Sequence, residues 1–321
     1  LAEEIRAKAN RWLLGEDSDR LRIFEDTTDF FKIEFGDIIL LGRHPFLIRH
    51  NAREGRFGVD DEVKYWVKRA IDLESGALKL LKLVFYEEFE TQVAGIPFKC
   101  YCSPQKEARV LKLVTGHPHF MQGHALTDRQ GNLIRVIDFI YGRGLPTYIE
   151  DLDLSHEEYF YNHLPDILRR FTECIDAVRF LHRHGEKHGD IRRDHIVVDR
   201  ENDGRYRWID FDYTYTHRDN RYGYDLFGLG NVLMYLVGKG DTLLPHLHQI
   251  DHPSLGRLTP DNLNIVFHHR VANLQKIYPY IPDRLNLILL HFSKGAKRFY
   301  ETTEQLLADL TACDVKASAD P

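Results

Sequence analysis

The 321-residue chain has no run of about eighteen apolar residues, the length a membrane-crossing helix needs. It has only four cysteines, Cys100, Cys102, Cys174 and Cys313. That is too few for a disulfide framework at this length, and it favours a reducing, cytoplasmic setting. A basic excess is also missing: 43 Lys and Arg stand against 49 Asp and Glu, for a net charge of −6. No global charge signal therefore points to nucleic acid or to an anionic membrane surface. The opening LAEEIRAKANRWLLGEDSDR has neither the basic head nor the apolar stretch of a signal peptide. With Leu at position 1, the natural start of the chain stays open. Cys100 and Cys102 form a C-x-C pair with no second pair at metal spacing, and His246, His248 and His252 read as a solvated loop. No internal repeat or low-complexity tract is visible.

What is present is an ordinary globular balance, 43% apolar and 29% charged, in a chain long enough for one large domain or two lobes. Residues 1–20 read as a helix, within an N-terminal helical extension over 1–35. Strand patterns follow, in FLIRH (46–50), YWVKRAIDL (65–73) and GALKLLKLVF (76–85), with Glu74-Ser75-Gly76 as a hairpin turn. SPQKEARVLKLV (103–114) reads as a helix capped by Ser103, with Pro104 in its first turn. NLIRVIDFIYGRGL (132–145) reads as a buried strand running into a Gly-bearing loop. From about 150 the pattern is helical. Leu164, Ile167, Leu168, Phe171, Ile175, Val178 and Leu181 recur at three- and four-residue steps. A short hairpin over 196–210 interrupts, and helices at 224–237, 283–293 and 302–311 follow. The expected class is α+β: a β-rich part over 36–142, a mainly helical part over 143–312, and a tail at 313–321.

The chemistry concentrates in two acidic clusters, HGDIRRDHIVVD (188–199) and WIDFDY (208–213). Phosphoryl transfer needs positioning more than covalent chemistry: one carboxylate to take a hydroxyl proton, and oxygen or nitrogen ligands to hold a divalent ion. A loop carrying Asp190 and His195, followed by a hairpin delivering Asp210, can supply these groups. Here the sequence resembles the protein-kinase-like superfamily, in particular bacterial Ser/Thr protein kinases, in a divergent HGD/DFD form. His188-Gly189-Asp190 is similar to the catalytic-loop H-R-D, and Asp210-Phe211-Asp212 to D-F-G. Gly55-Arg56-Phe57-Gly58 resembles the latter half of a glycine-rich loop, and Glu107 the helix carboxylate that pairs with a strand lysine. Residues 138–142 resemble the hinge, and YDLFGLGNVLMYL (224–236) the buried helix opening with an Asp, here Asp225.

The resemblance covers roughly 46–310 and implies a bilobal kinase-like fold that uses ATP and Mg²⁺. Asp190 is then the base, and Arg192 stands for the loop lysine near the transferred phosphate. Gly55, Gly58, Lys82 and Glu107 serve the nucleotide, and His195, Asp210 and Asp212 the metal. Lys82, six past Gly76, and Lys79, in Ala77-Leu78-Lys79, both compete for the strand-lysine role, with hairpin register favouring Lys82. The implied partners are a nucleotide and a hydroxyl acceptor, on a protein or a small molecule.

Four departures stand out. His195 replaces Asn, and its nitrogen suits Mn²⁺ more than Mg²⁺. Asp212 replaces Gly. Arg53 stands where the first loop Gly is expected. Only fifteen positions separate Asp210 from Asp225, with no room for a regulated activation segment. These departures keep open a second reading, a nucleotide-binding pseudokinase that acts as a scaffold.

Overall fold

The computed structural model describes residues 2–13, 21–56, 59–93, 96–216 and 220–313, with only the backbone of 54–56, 59–62, 93 and 96. In chain order its elements are α1 (Ala2–Asn10), β1 (Ile23–Phe24), β2 (Ile38–Leu41), β3 (His44–Arg56), β4 (Val59–Asp72), β5 (Leu78–Lys82), β6 (Glu88–Val93) and β7 (Ile96–Cys102). Then come α2 (Pro104–Leu113), β8 (Gly123–Thr127), β9 (Leu133–Asp138), β10 (Gly142–Gly144), α3 (Leu145–Glu150), α4 (His156–Asn162) and α5 (Leu164–Arg183). The remainder is β11 (Ile196–Asp199), β12 (Arg205–Trp208), β13 (Tyr213–Thr216), α6 (Gly223–Val237), α7 (Leu244–Gln249), α8 (Asp283–Leu290) and α9 (Thr303–Thr311). The chain divides into two compact units: 1–87, 102–117 and 121–140 form the first, and 88–101, 118–120 and 141–321 the second.

The first unit is a seven-stranded sheet in the order β1-β2-β3-β4-β5-β9-β8, antiparallel except for the β1–β2 pair. Because strand side chains alternate, each face builds its own core. On one face Ile38, Leu40, Leu47 and Ile71 pack with Ile5, Ala9 and Leu13 of the α1 region. On the other, Ile39, Leu41, Phe46, Ile48, Ala70 and Leu81 pack with Val136. The β4–β5 turn follows from its residues. Asp72 accepts hydrogen bonds from the Glu74 amide and the Ser75 hydroxyl, and Gly76 takes the left-handed conformation (φ +74°). This turn fixes the register Val67↔Lys82 through Ile71↔Leu78. Helix α2 starts where Ser103 accepts from the Lys106 amide, a cap worth about 1 kcal/mol.

In the second unit the apolar stripe of α5 is buried as its periodicity predicts, Leu164, Ile167, Phe171, Ile175, Val178 and Leu181 included. The β11–β12 hairpin packs on it, anchored by fully buried Trp208, whose Nε1 donates to the Cys174 carbonyl at 2.9 Å. Two sequence readings need correction. Residues 244–249 form the helix α7 rather than a loop: Pro245 sits in its first turn, where a missing N–H costs nothing, and Leu247 is buried. Residues 88–102 form a hairpin that the sequence reading did not anticipate, and it joins β13 in a three-stranded sheet, β13-β7-β6. Helix α1 covers only the first part of the helix expected over 1–20, and residues 14–20 lie outside the described residues.

Candidate active site

In the first unit, Lys82 and Glu107 form a buried ion pair, Nζ to Oε1 at 2.8 Å. The other oxygen of Glu107 accepts from Arg135 Nε at 2.9 Å, and Arg135 is itself 1% exposed. One carboxylate thus serves two cations, and all three come out of water together. Burial on these terms is sustainable only because every member is paired. Lys79, three residues before Lys82, faces away and pairs with Asp138 at 2.6 Å. The structure therefore brings Lys82, not Lys79, to Glu107. Gly55 lies in β3 at a register shift between Glu54 and Arg56, and Gly58 lies outside the described residues.

In the second unit the H-G-D turn is held by Asp225 at the start of α6. Its carboxylate accepts from the amides of His188 (2.8 Å) and Gly189 (2.9 Å) and from His182 Nε2 (3.0 Å). These donors hold the fully buried Asp225 carboxyl below the usual range despite the opposing effect of burial. Gly189 has φ +91°, a conformation that explains Gly where the resemblance expects Arg. The His188 ring packs edge-on against Trp208, with centroids 4.9 Å apart.

Asp190 follows at once, with its side chain 17% exposed. His195 Nδ1 donates to the Asp190 carbonyl at 2.9 Å and lies 3.5 Å from Asp190 Oδ2. A carbonyl oxygen only accepts, so Nδ1 carries a proton. Nε2 lies 3.8 Å from Asp210 Oδ2 and accepts from Arg192 Nη2. Arg192 Nε is also 3.4 Å from Asp190 Oδ1. Asp190, Arg192, His195 and Asp210 therefore converge within this unit. Burial raises the Asp190 carboxyl above its ordinary value, against the pull of His195 and Arg192 and with a push from Asp212. Asp212 is 7% exposed, and Asp210 adopts φ +55°, a left-handed conformation that Asp tolerates better than most residues.

Among the described residues, no three His, Cys, Asp or Glu side chains converge as a closed metal cage. Asp210 Oδ2 and His195 Nε2 stand 3.8 Å apart, an oxygen and a nitrogen atom side by side.

Sequence reasoning missed Arg135 and the hairpin. Arg135 interrupts the apolar run LIRVID, and a charge inside a buried strand demands a partner. In the hairpin, Phe98, Cys100 and Cys102 alternate with Lys99 and Tyr101, a strand signature. Cys100 comes close enough to the catalytic loop for the Asp190 charge to add to the effect of burial, which together push its thiol up to about 11.

No family model matches the chain. Among curated proteins, it is similar to a putative ribosomal protein S6 kinase alpha-2 of Caenorhabditis elegans, 26% identical over 200 residues, 62% of this chain and 21% of the relative. It is similar to the ovarian-specific serine/threonine-protein kinase Lok of Drosophila melanogaster, 24% identical over 196 residues, 54% of this chain and 38% of the relative. It also resembles sperm motility kinase 2B of Mus musculus, 22% identical over 113 residues, 35% of this chain and 22% of the relative. The chain thus spans between about a fifth and two fifths of the length of these relatives. Among solved structures, it resembles the PknI kinase domain of Mycobacterium tuberculosis with a TM-score of 0.51 and 14% identity, covering 87% of this chain and 98% of that one. The chain has a protein-kinase-like fold of the α+β class.

Proposed function

We propose that the protein is an ATP-dependent phosphotransferase that moves the γ-phosphate to a hydroxyl, on a protein Ser/Thr or on a small molecule. The observation that carries this reading is the convergence of Asp190, Arg192, His195 and Asp210 about one point of the catalytic loop. The buried Lys82–Glu107 pair adds support. Asp190 accepts the proton of the acceptor hydroxyl as its oxygen bonds to phosphorus and the bond to the leaving ADP breaks. Lys82 neutralises phosphate oxygens, and Arg192 does so for the group in transfer. Asp210 and His195 hold the divalent ion, which when bound screens charge on the phosphates. A soluble chain in the cytoplasm, as the cysteine usage suggests, has the nucleotide and ion at hand.

The raised Asp190 carboxyl has a consequence. A base must be ionised, so activity should fall on the acid side above the range of an ordinary Asp, near 3.9. Asp190→Asn should lower turnover by about 10²–10⁴-fold and leave nucleotide binding intact. Because burial disfavours the charged form, the same change should raise the melting temperature at neutral pH. Equal turnover by wild type and variant removes Asp190 from its role.

One observation favours a second reading, a pseudokinase scaffold. The Arg192 guanidinium sits against His195 Nε2, the lone pair a metal would need. Thermal shift with ATP and Mg²⁺ or Mn²⁺ separates the two. Ligand at a hundred times its Kd adds about 2.7 kcal/mol, and binding without turnover on any acceptor leaves the scaffold.

A further inference from the structure

The first unit carries a cavity of about 570 Å³ that no part of the phosphotransfer reading uses. Trp12 and Phe35 form its walls and Ile71 and Leu78 its floor, while Arg11, Arg49 and His50 reach it. Both aromatic rings remain largely open to solvent, 41% and 51% exposed. Arg49 ties the walls together: its Nη1 donates to the Trp12 carbonyl at 2.9 Å and its guanidinium lies 5.2 Å from the Phe35 ring centroid. A bulge in β3 puts this basic pair in place, since the register shifts between Ile48 and His50.

Two guanidinium groups, Arg11 and Arg49, line the cavity in a chain whose net charge is −6. Burial, and then the charges of Arg69, Arg49 and Arg53, hold His50 below its usual range. Among the described residues, none of Arg11, Arg49, Arg53 and Arg69 forms an ion pair. Among the described carboxylates of this unit, Asp37 is engaged by Arg22, Glu74 by Lys8, and Asp72 by its own turn. Apolar floor, aromatic walls and uncompensated guanidinium groups together select a flat ring that bears an anion.

We infer that this cavity binds a small aromatic anion, a planar ring carrying a phosphate- or sulfonate-type group. The ring lies against Trp12, Ile71 and Leu78, and the anion meets Arg11 and Arg49. The site shares a sheet face with Lys82, four residues along β5 and so about 13 Å away. It is distinct from the phosphate-binding lysine and needs no turnover to be detected.

Titration calorimetry on the full chain tests the inference with three probes: 1-naphthyl phosphate, inorganic phosphate and 1-naphthol. Naphthyl phosphate should bind at least tenfold more tightly than either of the others, with neither half sufficient alone. Arg11→Ala, at a solvent-facing position, and Arg49→Ala should each weaken it about tenfold, with circular dichroism unchanged. Saturating ATP with Mg²⁺ should leave the affinity as it was. Equal affinity for all three probes, indifference to both arginine changes, or full displacement by the nucleotide would each overturn the assignment. The last of these would make the cavity part of the nucleotide site, and failure of the phosphotransferase reading would leave the calorimetry unaffected.

Discussion

Lys68 and Lys82 lie on neighbouring strands, β4 and β5, and both are buried, yet the register Lys68↔Leu81 and Val67↔Lys82 puts them on opposite faces of the sheet. Among the described residues, Lys68 Nζ donates only to neutral oxygens: the carbonyls of Phe30 (3.0 Å) and Ile33 (2.8 Å) and Asn51 Oδ1 (2.7 Å). Burial lowers its pKa to about 8, with Asp37 and Glu34 pulling weakly the other way. Lys82 instead meets a carboxylate, which Arg135 also holds. Lys68 is met by dipoles alone, whereas Lys82 has a counter-ion that also orients it. Lys68 staples the segment before β2 to the sheet, while Lys82 is held in place by Glu107, the arrangement on which its proposed contact with phosphate rests.

Removing the shared carboxylate should have the largest effect. Glu107→Ala leaves Lys82 and Arg135 buried without their counter-ion and should cost about 3–5 kcal/mol, read as a drop in the urea midpoint. Next comes the contrast between the lysines themselves. Lys82→Met should cut phosphotransfer roughly 10²–10³-fold with a smaller loss of stability, since Arg135 still holds Glu107. Lys68→Met should do the reverse, lowering stability while the folded molecules keep their turnover. The comparison collapses if both variants lose activity and stability in the same proportion.

The contrast also has a pH signature. Lys68 titrates near 8 folded and near 10.4 unfolded, so between those values the unfolded chain holds more protons. Its destabilising charge is present below about pH 8 and is relieved as pH rises. The buried cysteines and tyrosines act in the opposite direction, so the useful quantity is the difference between wild type and Lys68→Met. From pH 7 to 9.5, wild type should gain on the variant by an amount on the order of 2 kcal/mol in urea unfolding. A flat difference would mean that Lys68 keeps its proton in the folded state.

Much of this was legible because it is local. The spacing of Asp190, His195 and Asp210 is a loop followed by one hairpin, so neighbours in sequence become neighbours in space. The α5 stripe follows from periodicity, and the Gly76 turn sets the β5 register that brings Lys82 to the Glu107 side. Arg135 was hidden because a charge within LIRVID reads as an ordinary exception until the carboxylate it serves is known. The three-stranded sheet was hidden for a different reason. Strands β6 and β7 join a strand more than a hundred residues later, and no local propensity specifies that pairing. The α7 helix was missed because its histidines are polar and Leu247 alone marks its buried side.

That sheet bears on the smallest expected effect. Strand β13 holds the stretch just after Asp210 and Asp212, where a phosphorylated residue would order a longer segment. Here order is supplied in cis. Buried Tyr215 packs edge-on against Phe98 of β7, centroids 5.9 Å apart, and its carbonyl accepts from Lys187 Nζ at 2.7 Å. Thr214 and Thr216 flank it on the opposite side of the strand, and Thr216 is exposed. Changing either threonine to Glu or Ala should therefore leave turnover within about twofold, the range of an ordinary surface change. Phe98→Ala, which removes the packing under Tyr215, should speed amide exchange over 213–216. If the threonine changes move turnover tenfold while Phe98→Ala leaves exchange unaltered, then the hairpin is not what orders this segment, and control by phosphorylation regains its claim.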